Sequence, residues 1–177
     1  MDLRIRPAEG SRFTLTVEKT GLYRGKKHLF VFERYEGLAR YDPAHPEQAQ
    51  VQFEVEASSA VLMDDWVSPK DKKKILEFTL KDMLDAAHHP KIRFASSRIE
   101  RTGEMQFRAD GMLTLRGISK PVEVRVALRE ASTVLDGTAI VKITDYGLKP
   151  PSAALGTIGT KDQMTVSFSL RAAKALE

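Results

Sequence analysis

The sequence predicts an all-β fold with one helical segment, arranged as an antiparallel sandwich or an up-and-down barrel of about eight strands. Three observations predict it. Apolar residues recur at every second position through many short runs, and successive side chains of a strand point to opposite faces. Turn residues close those runs after short connections, as antiparallel neighbours require. One stretch alone, about residues 69–88, repeats its apolar residues at three and four positions, the spacing of a helix face.

Taken in order, Leu3-Arg4-Ile5 is a short strand closed by Pro7 and Gly10. Phe13, Leu15 and Val17 alternate with Thr14, Thr16 and Glu18 in a second strand rich in β-formers. Gly21, Gly25 and three basic residues mark residues 21–27 as a loop. Leu29 to Tyr41 reads as one long aromatic-rich strand, its front end without clean alternation and its Gly37 marking a bulge or bend. Beyond Pro43 and Pro46, Val51, Phe53, Val55 and Ala57 alternate with Gln52, Glu54 and Glu56.

Ser68-Pro69-Lys70-Asp71 carries a helix-start signature: a Ser cap, Pro at the first helical position and an acid three residues on. Leu76, Leu80, Met83, Leu84 and Ala87 form the apolar stripe, widened by Ile75 and Phe78. The helix must stop by Pro90, because the residue before a proline resists the α conformation.

After Pro90 the chain reads as strand and turn. Ile92 and Phe94 open one strand, and Met105, Phe107 and Ala109 begin the next. That strand runs through Gly111 into the clearest hairpin of the chain, Asp110–Leu128. Leu113 and Leu115 face one way there. Beyond a turn assigned to Gly117 and Ser119-Lys120-Pro121, Val122, Val124, Val126 and Leu128 alternate with Glu123, Arg125, Ala127 and Arg129. Leu135, Ala139, Val141 and Ile143 form a later strand closed by Asp145-Tyr146-Gly147, residues 149–161 are a loop, and Met164, Val166, Phe168 and Leu170 form the last strand.

Length and composition exclude several functions. The 177 residues suit one domain with a sizeable core, expected to span 1–177. Without cysteine there is no disulfide framework, thiolate metal site or cysteine nucleophile. No run is apolar for long enough to span a membrane, and the N-terminus lacks the apolar core of a leader, so a cytoplasmic protein is expected. The net charge of +4 is mild and spread over outward positions beside Glu and Asp. That is a solvated surface, without the basic face and interleaved aromatics of a nucleic-acid binder.

Few constellations point to chemistry. His88 and His89 diverge as neighbours must, with no acid at the third or fourth position beyond them, so a solvated helix end is expected and no metal site. His28 and His45 read as loop histidines without partners, and Asp64-Asp65 beside Trp66 as a turn and cap feature. Gly156-Thr-Ile-Gly-Thr-Lys161 lacks the order of a phosphate loop. Asp145 is expected to accept backbone N–H bonds across its turn, with a polar rim group as the alternative. Lys70, Lys72, Lys73 and Lys74 make a basic helix start, either a solvated face or a point of peripheral contact with an anionic membrane surface.

The inward-facing set is apolar with almost no polar anchor. It holds Phe13, Leu15, Val17, Val51, Phe53 and Val55 from the first strands, and Leu80 and Leu84 from the helix. Phe94, Phe107, Leu113, Leu115, Val124 and Val126 come next, and Val141, Ile143, Val166 and Phe168 complete it. Such a lining favours a hydrocarbon chain at roughly 0.8 kcal/mol per buried CH₂ and cannot orient a polar metabolite. For each residue, however, plain core packing also accounts for the pattern, and a filled and a hollow barrel both remain open.

Four motifs carry a resemblance. Gly111-Met-Leu-Thr-Leu-Arg-Gly-Ile-Ser-Lys-Pro-Val122 resembles the G-x-L-T-I-x-G-V-T-K-P-V segment of the YceI-like family, and Met83-Leu-Asp-Ala-Ala-His-His-Pro-Lys-Ile-Arg-Phe94 its F-F-D-x-x-x-x-P-x-I-x-F. Gly37-Leu-Ala-Arg-Tyr-Asp-Pro43 is similar to its G-x-I-x-F-D-P, and Thr144-Asp-Tyr-Gly-Leu148 to its S-D-F-G-L. They stand in the family's order from about Phe13 to Ala173. The resemblance implies a lipocalin-like up-and-down antiparallel β-barrel whose apolar pore binds a polyisoprenoid or other long-chain lipid, without catalysis and usually as a homodimer. It also implies that the inward set lines the pore, with Asp145 and Tyr146 at its rim, and that a bound lipid takes the place of a cofactor. Two departures stand out: the leader common in the family is not seen, and its early Val-Lys-His is here Val17-Glu18-Lys19. An enzyme acting on an apolar substrate through Asp145, and a filled-core module acting through its dimer surface, are the alternatives.

Overall fold

The computed structural model of the chain describes residues 1–131 and 133–175, so the end expected for the domain, residues 176–177, lies outside it. The strands are β1 (Asp2–Ile5), β2 (Arg12–Gly21), β3 (Lys27–Phe32), β4 (Tyr35–Arg40), β5 (Gln50–Glu56) and β6 (Ala60–Leu62). Helix α1 (Pro69–Phe78) comes next, then β7 (Lys91–Gly103), β8 (Gln106–Leu115), β9 (Ile118–Arg129), β10 (Val134–Lys142) and β11 (Ile158–Lys174).

β11 closes the sheet. One of its edges pairs with β10, while the other pairs first with β2 over Ile158–Ser169 and then with β1 over Ala172–Lys174. Because β1 also pairs with β4, the strands β1-β4-β5-β7-β8-β9-β10-β11 form a closed antiparallel ring. The result is a β-barrel of eight strands with one helix. Of the two arrangements that the alternation leaves open, it is the one that the family resemblance implies; at this size the interior has room for side chains or one small ligand. β2, β3 and β6 continue from β11 as a flap beside the ring.

The flap explains where the chain departs from expectation. The long aromatic strand breaks at Glu33-Arg34 rather than at Gly37, because β3 serves the flap while β4 serves the ring. His28, read as a loop histidine, belongs to β3 of that flap, and the short strand β6 (Ala60–Leu62), which the sequence reading did not assign, completes it. The β8–β9 turn is tighter than expected. Arg116 (φ 53°) and Gly117 (φ 73°) are both left-handed, as a two-residue hairpin turn requires, so Ser119, Lys120 and Pro121 already belong to β9.

Glycines make room for aromatic rings on the inner wall. Gly37 faces Phe53 across β4 and β5, and a Cβ there would sit 2.7 Å from the Phe53 ring. Gly137 faces Phe168 in the same way, and a Cβ would overlap that ring. Each ring covers the bare backbone opposite it, a device that also pins strand register. Phe168 in turn stacks on Phe13 (centroids 6.1 Å apart, 9° between planes), and Phe13 on Phe53 at 5.4 Å. Gly137→Ala is therefore expected to cost about 1–3 kcal/mol, the usual penalty of overpacking. Urea denaturation reads it directly, and an unchanged midpoint would mean that Phe168 moves aside freely.

Most charged residues stay outside. Arg108 bridges Glu100 (3.1 Å) and Asp110 (3.2 Å), and Arg125 pairs with Glu123 at 2.9 Å on the outer face of β7, β8 and β9. Exposed pairs of this kind contribute roughly 0–1 kcal/mol each.

Candidate functional site

The barrel is hollow. A cavity of about 490 Å³ occupies its interior, within the roughly 300–1,000 Å³ of small-molecule sites. Its wall is the inward row of each strand. β2 contributes Phe13, Leu15 and Val17, and β5 contributes Val51, Phe53 and Val55. Phe94 comes from β7, Phe107, Leu113 and Leu115 from β8, and Val124 and Val126 from β9. Val141 ends the β10 row, Ile143 stands just beyond it in a 3₁₀ turn, and β11 adds Val166 and Phe168. A wall so largely apolar favours an apolar guest.

The helix lies differently from the sequence reading. Its regular part stops at Phe78, and a π-helical turn Thr79–Met83 ends the insertion short of residue 88. In that turn the Leu84 N–H donates to Thr79 O at 2.8 Å, and the Thr79 hydroxyl donates back to Ile75 O at 2.8 Å. The wider turn changes the facing of the helix end, and Ile75, Phe78, Thr79, Met83 and Leu84 line the cavity. Leu80 does not line it; it packs beside the wall against the core. Simple three-and-four spacing cannot reveal a π turn, which adds one residue to the period.

Polar groups reach the cavity where the sequence suggested almost none. Lys19 extends the inward row of Phe13, Leu15 and Val17 by one step, and its Nζ donates to the Thr160 hydroxyl of β11 at 3.0 Å. Burial pushes its ammonium pKa down, since the charged form loses water. His28 also lines the cavity, in one row with Phe30 and Phe32. Its Nδ1 lies 2.6 Å from a carboxylate oxygen of the buried Asp64, whose other oxygen accepts the Leu29 N–H at 2.8 Å. Trp66 stacks on His28 at 5.3 Å and donates its indole N–H to Lys27 O at 2.9 Å. Asp64 thus does more than shape a turn: it ties the segment before α1 to β3. Continuing the period-two rows to Lys19 and back to His28 was the signal that could have found both.

Asp145 and Tyr146, expected together at the rim, part company. Asp145 is exposed and outside the cavity, whereas Tyr146 is 2% exposed and lines it. Asp145 does not hold the turn either. Asp162 does, accepting from the Thr144 N–H at 2.9 Å and the Thr144 hydroxyl at 2.6 Å, and the hydroxyl bond foremost lowers its pKa. The acid is supplied from β11, a contact that spacing within the motif cannot show.

The Tyr146 hydroxyl donates to Leu113 O at 3.1 Å, and burial pushes its pKa up to about 12, helped by the Asp145 charge. An unfolded tyrosine ionises near 10, so the neutral buried phenol stabilises the fold fully below pH 10. That contribution is lost as pH rises from 10 toward 12. Burial also raises the pKa of Tyr35, so ultraviolet titration should show two of the four tyrosines ionising late, and Tyr146→Phe should remove one of those two steps.

Near the barrel end, His88 Nδ1 lies 2.8 Å from Asp85 and His89 is 3.9 Å from the same carboxylate. The acid stands at the third position before His88, a direction the sequence reading did not count. Among the described residues no three such side chains converge as a metal-ligand set. The cavity lining among the described residues likewise contains no carboxylate.

Comparison with known proteins agrees with this architecture. A UPF0312 protein of Pseudomonas savastanoi pv. phaseolicola is 26% identical over 135 residues, 72% of this chain and 67% of that protein. BcnA of Burkholderia cenocepacia superposes with a TM-score of 0.74 at 20% identity, covering 94% of this chain and 98% of its own. A polyisoprenoid binding domain from Saccharophagus degradans, implicated in plant cell wall breakdown, superposes with a TM-score of 0.64 at 12% identity, covering 97% and 98%. The YceI-like domain model matches residues 4–172, nearly all of the ring and the whole flap, and the chain belongs to the YceI-like domain family.

Proposed function

We propose that this chain binds a long-chain isoprenoid or a similar lipid inside its barrel and performs no chemistry on it. The observation that carries the reading is the mostly apolar hollow of about 490 Å³. At roughly 0.8 kcal/mol per buried CH₂, such a wall rewards a hydrocarbon chain in proportion to its length. The polyisoprenoid binding domain of Saccharophagus degradans, with the same fold, supports an isoprenoid as the first ligand to try. Two alternatives lose ground. Asp145 lies outside the cavity, so it cannot serve as acid or base to a substrate within it, and the open interior disfavours a filled-core module.

Native mass spectrometry of gently purified protein, with subsequent solvent extraction, tests the reading. The expected result is an adduct that organic solvent removes and that proves to be a single-chain lipid. Protein that stays ligand-free when offered isoprenoid alcohols and fatty acids would overturn it.

A further inference from the structure

We propose that the loops flanking the Lys19 end of the barrel dock on an anionic lipid bilayer. Two loops meet there. β2 and β11 pair through Gly21 and Ile158, and beyond that pair the Leu22 N–H donates to Thr157 O at 2.9 Å. Both loops present large apolar side chains to solvent: Leu155 is 106% exposed and Leu22 74%. Ala154 (φ 50°), Leu155 (φ 56°) and Gly156 (φ 85°) are all left-handed. Leucine rarely adopts that conformation, and here it carries the side chain away from the barrel. Tyr23 is 42% exposed and lies 5.7 Å from Trp66, so two amphipathic rings sit beside the leucines. Such rings favour the headgroup level of a bilayer.

Charge selects the partner. Residues 19–27 and 147–161 contain no Asp or Glu but hold Lys19, Arg24, Lys26, Lys27, Lys149 and Lys161. Glu18 at the foot of the loop is engaged by Lys161 (3.0 Å) and Lys27 (3.9 Å). Arg24, Lys26 and Lys149 make no ion pair among the described residues, and Lys26 Nζ rests 5.9 Å from the Trp66 ring. Asp145 and Asp162 flank the second segment in sequence, Glu33 follows the first at the far end of β3, and Asp65 precedes Trp66; Asp162 is bound to Thr144. Apolar tips ringed by unpaired basic residues match an interface of acyl chains and anionic headgroups. No helix among the described residues is long and apolar enough to cross a membrane, so this contact is peripheral. It stands independently of what the cavity holds.

The test is sedimentation with vesicles of phosphatidylcholine alone or mixed equally with phosphatidylglycerol. The chain has one tryptophan, so quenching of Trp66 by brominated lipid reports contact at this face. Wild type should sediment with the mixed vesicles, show quenching, and release at high salt. L22S/L155S should lose binding while its melting temperature stays unchanged, since both side chains are exposed. R24S and K26S should each lower the partition coefficient about fivefold, the share of one basic residue near a charged surface. Wild type remaining in the supernatant, or the double variant binding unchanged, would overturn the proposal. So would dimerisation of the wild type that L22S/L155S abolishes without any vesicle binding, because the patch then serves a second copy of the chain.

Discussion

Ala139→Phe is expected to weaken lipid binding several hundredfold while leaving the barrel folded. Ala139 lies on β10 between Val124 and Val166, and its small side chain faces the cavity. A phenyl ring there grows into open space, so the overpacking cost of a filled core falls away. The ring takes the place of about four or five methylenes of a bound chain. At roughly 0.8 kcal/mol each this removes about 3–4 kcal/mol, a loss of several hundredfold in affinity. Titration with a fluorescent long-chain lipid, alongside circular dichroism and melting temperature, reads both quantities. Unchanged affinity with an unchanged fold would place the ligand elsewhere.

Asp64→Ala should be the most damaging single change to stability away from the aromatic cluster. Asp64 is 4% exposed and accepts two bonds, from His28 Nδ1 and from the Leu29 N–H. Truncation leaves both partners buried and unsatisfied, at about 1–3 kcal/mol each. A total loss of about 3 kcal/mol corresponds to roughly 6–12 °C in melting temperature for a chain of this size. Asp64→Asn keeps an acceptor for the Leu29 N–H and should lose less. Denaturant unfolding of Asp64→Ala, His28→Ala and the double variant gives the coupling between the two groups. Additive losses would show that the pair has no mutual stabilisation.

Much of this barrel is legible because period two is a local signal. The rows Phe13-Leu15-Val17, Val51-Phe53-Val55 and Val122-Val124-Val126-Leu128 all face the interior, and nothing outside each strand is needed to read them. The resemblance carried by the segments around Gly37, Phe94, Gly111 and Tyr146 was sufficient for the family, which the match over 4–172 shows. Reading failed where a residue's partner lies far along the chain. His28 and Asp64 are separated by 36 positions, Thr144 and Asp162 by 18, and Lys19 and Thr160 by 141. Leu80 failed for a different reason, since the π turn changes the helical period within five residues.

The sequence by itself determined antiparallel strands with an apolar inside and one capped helix, because alternation, turns and the cap are written in neighbouring residues; the choice of a barrel over a sandwich came from the family resemblance. The hollow is another matter. Whether inward Phe, Leu and Val meet at the axis depends on the radius at which the strands close, and that radius is set by strand number and stagger. β11 pairing with β10, β2 and β1 sets that closure, and Gly37 and Gly137 let rings lie flat on the wall instead of filling the centre. Only the tertiary structure decided that the interior stays open, and that Lys19 and His28 reach into it.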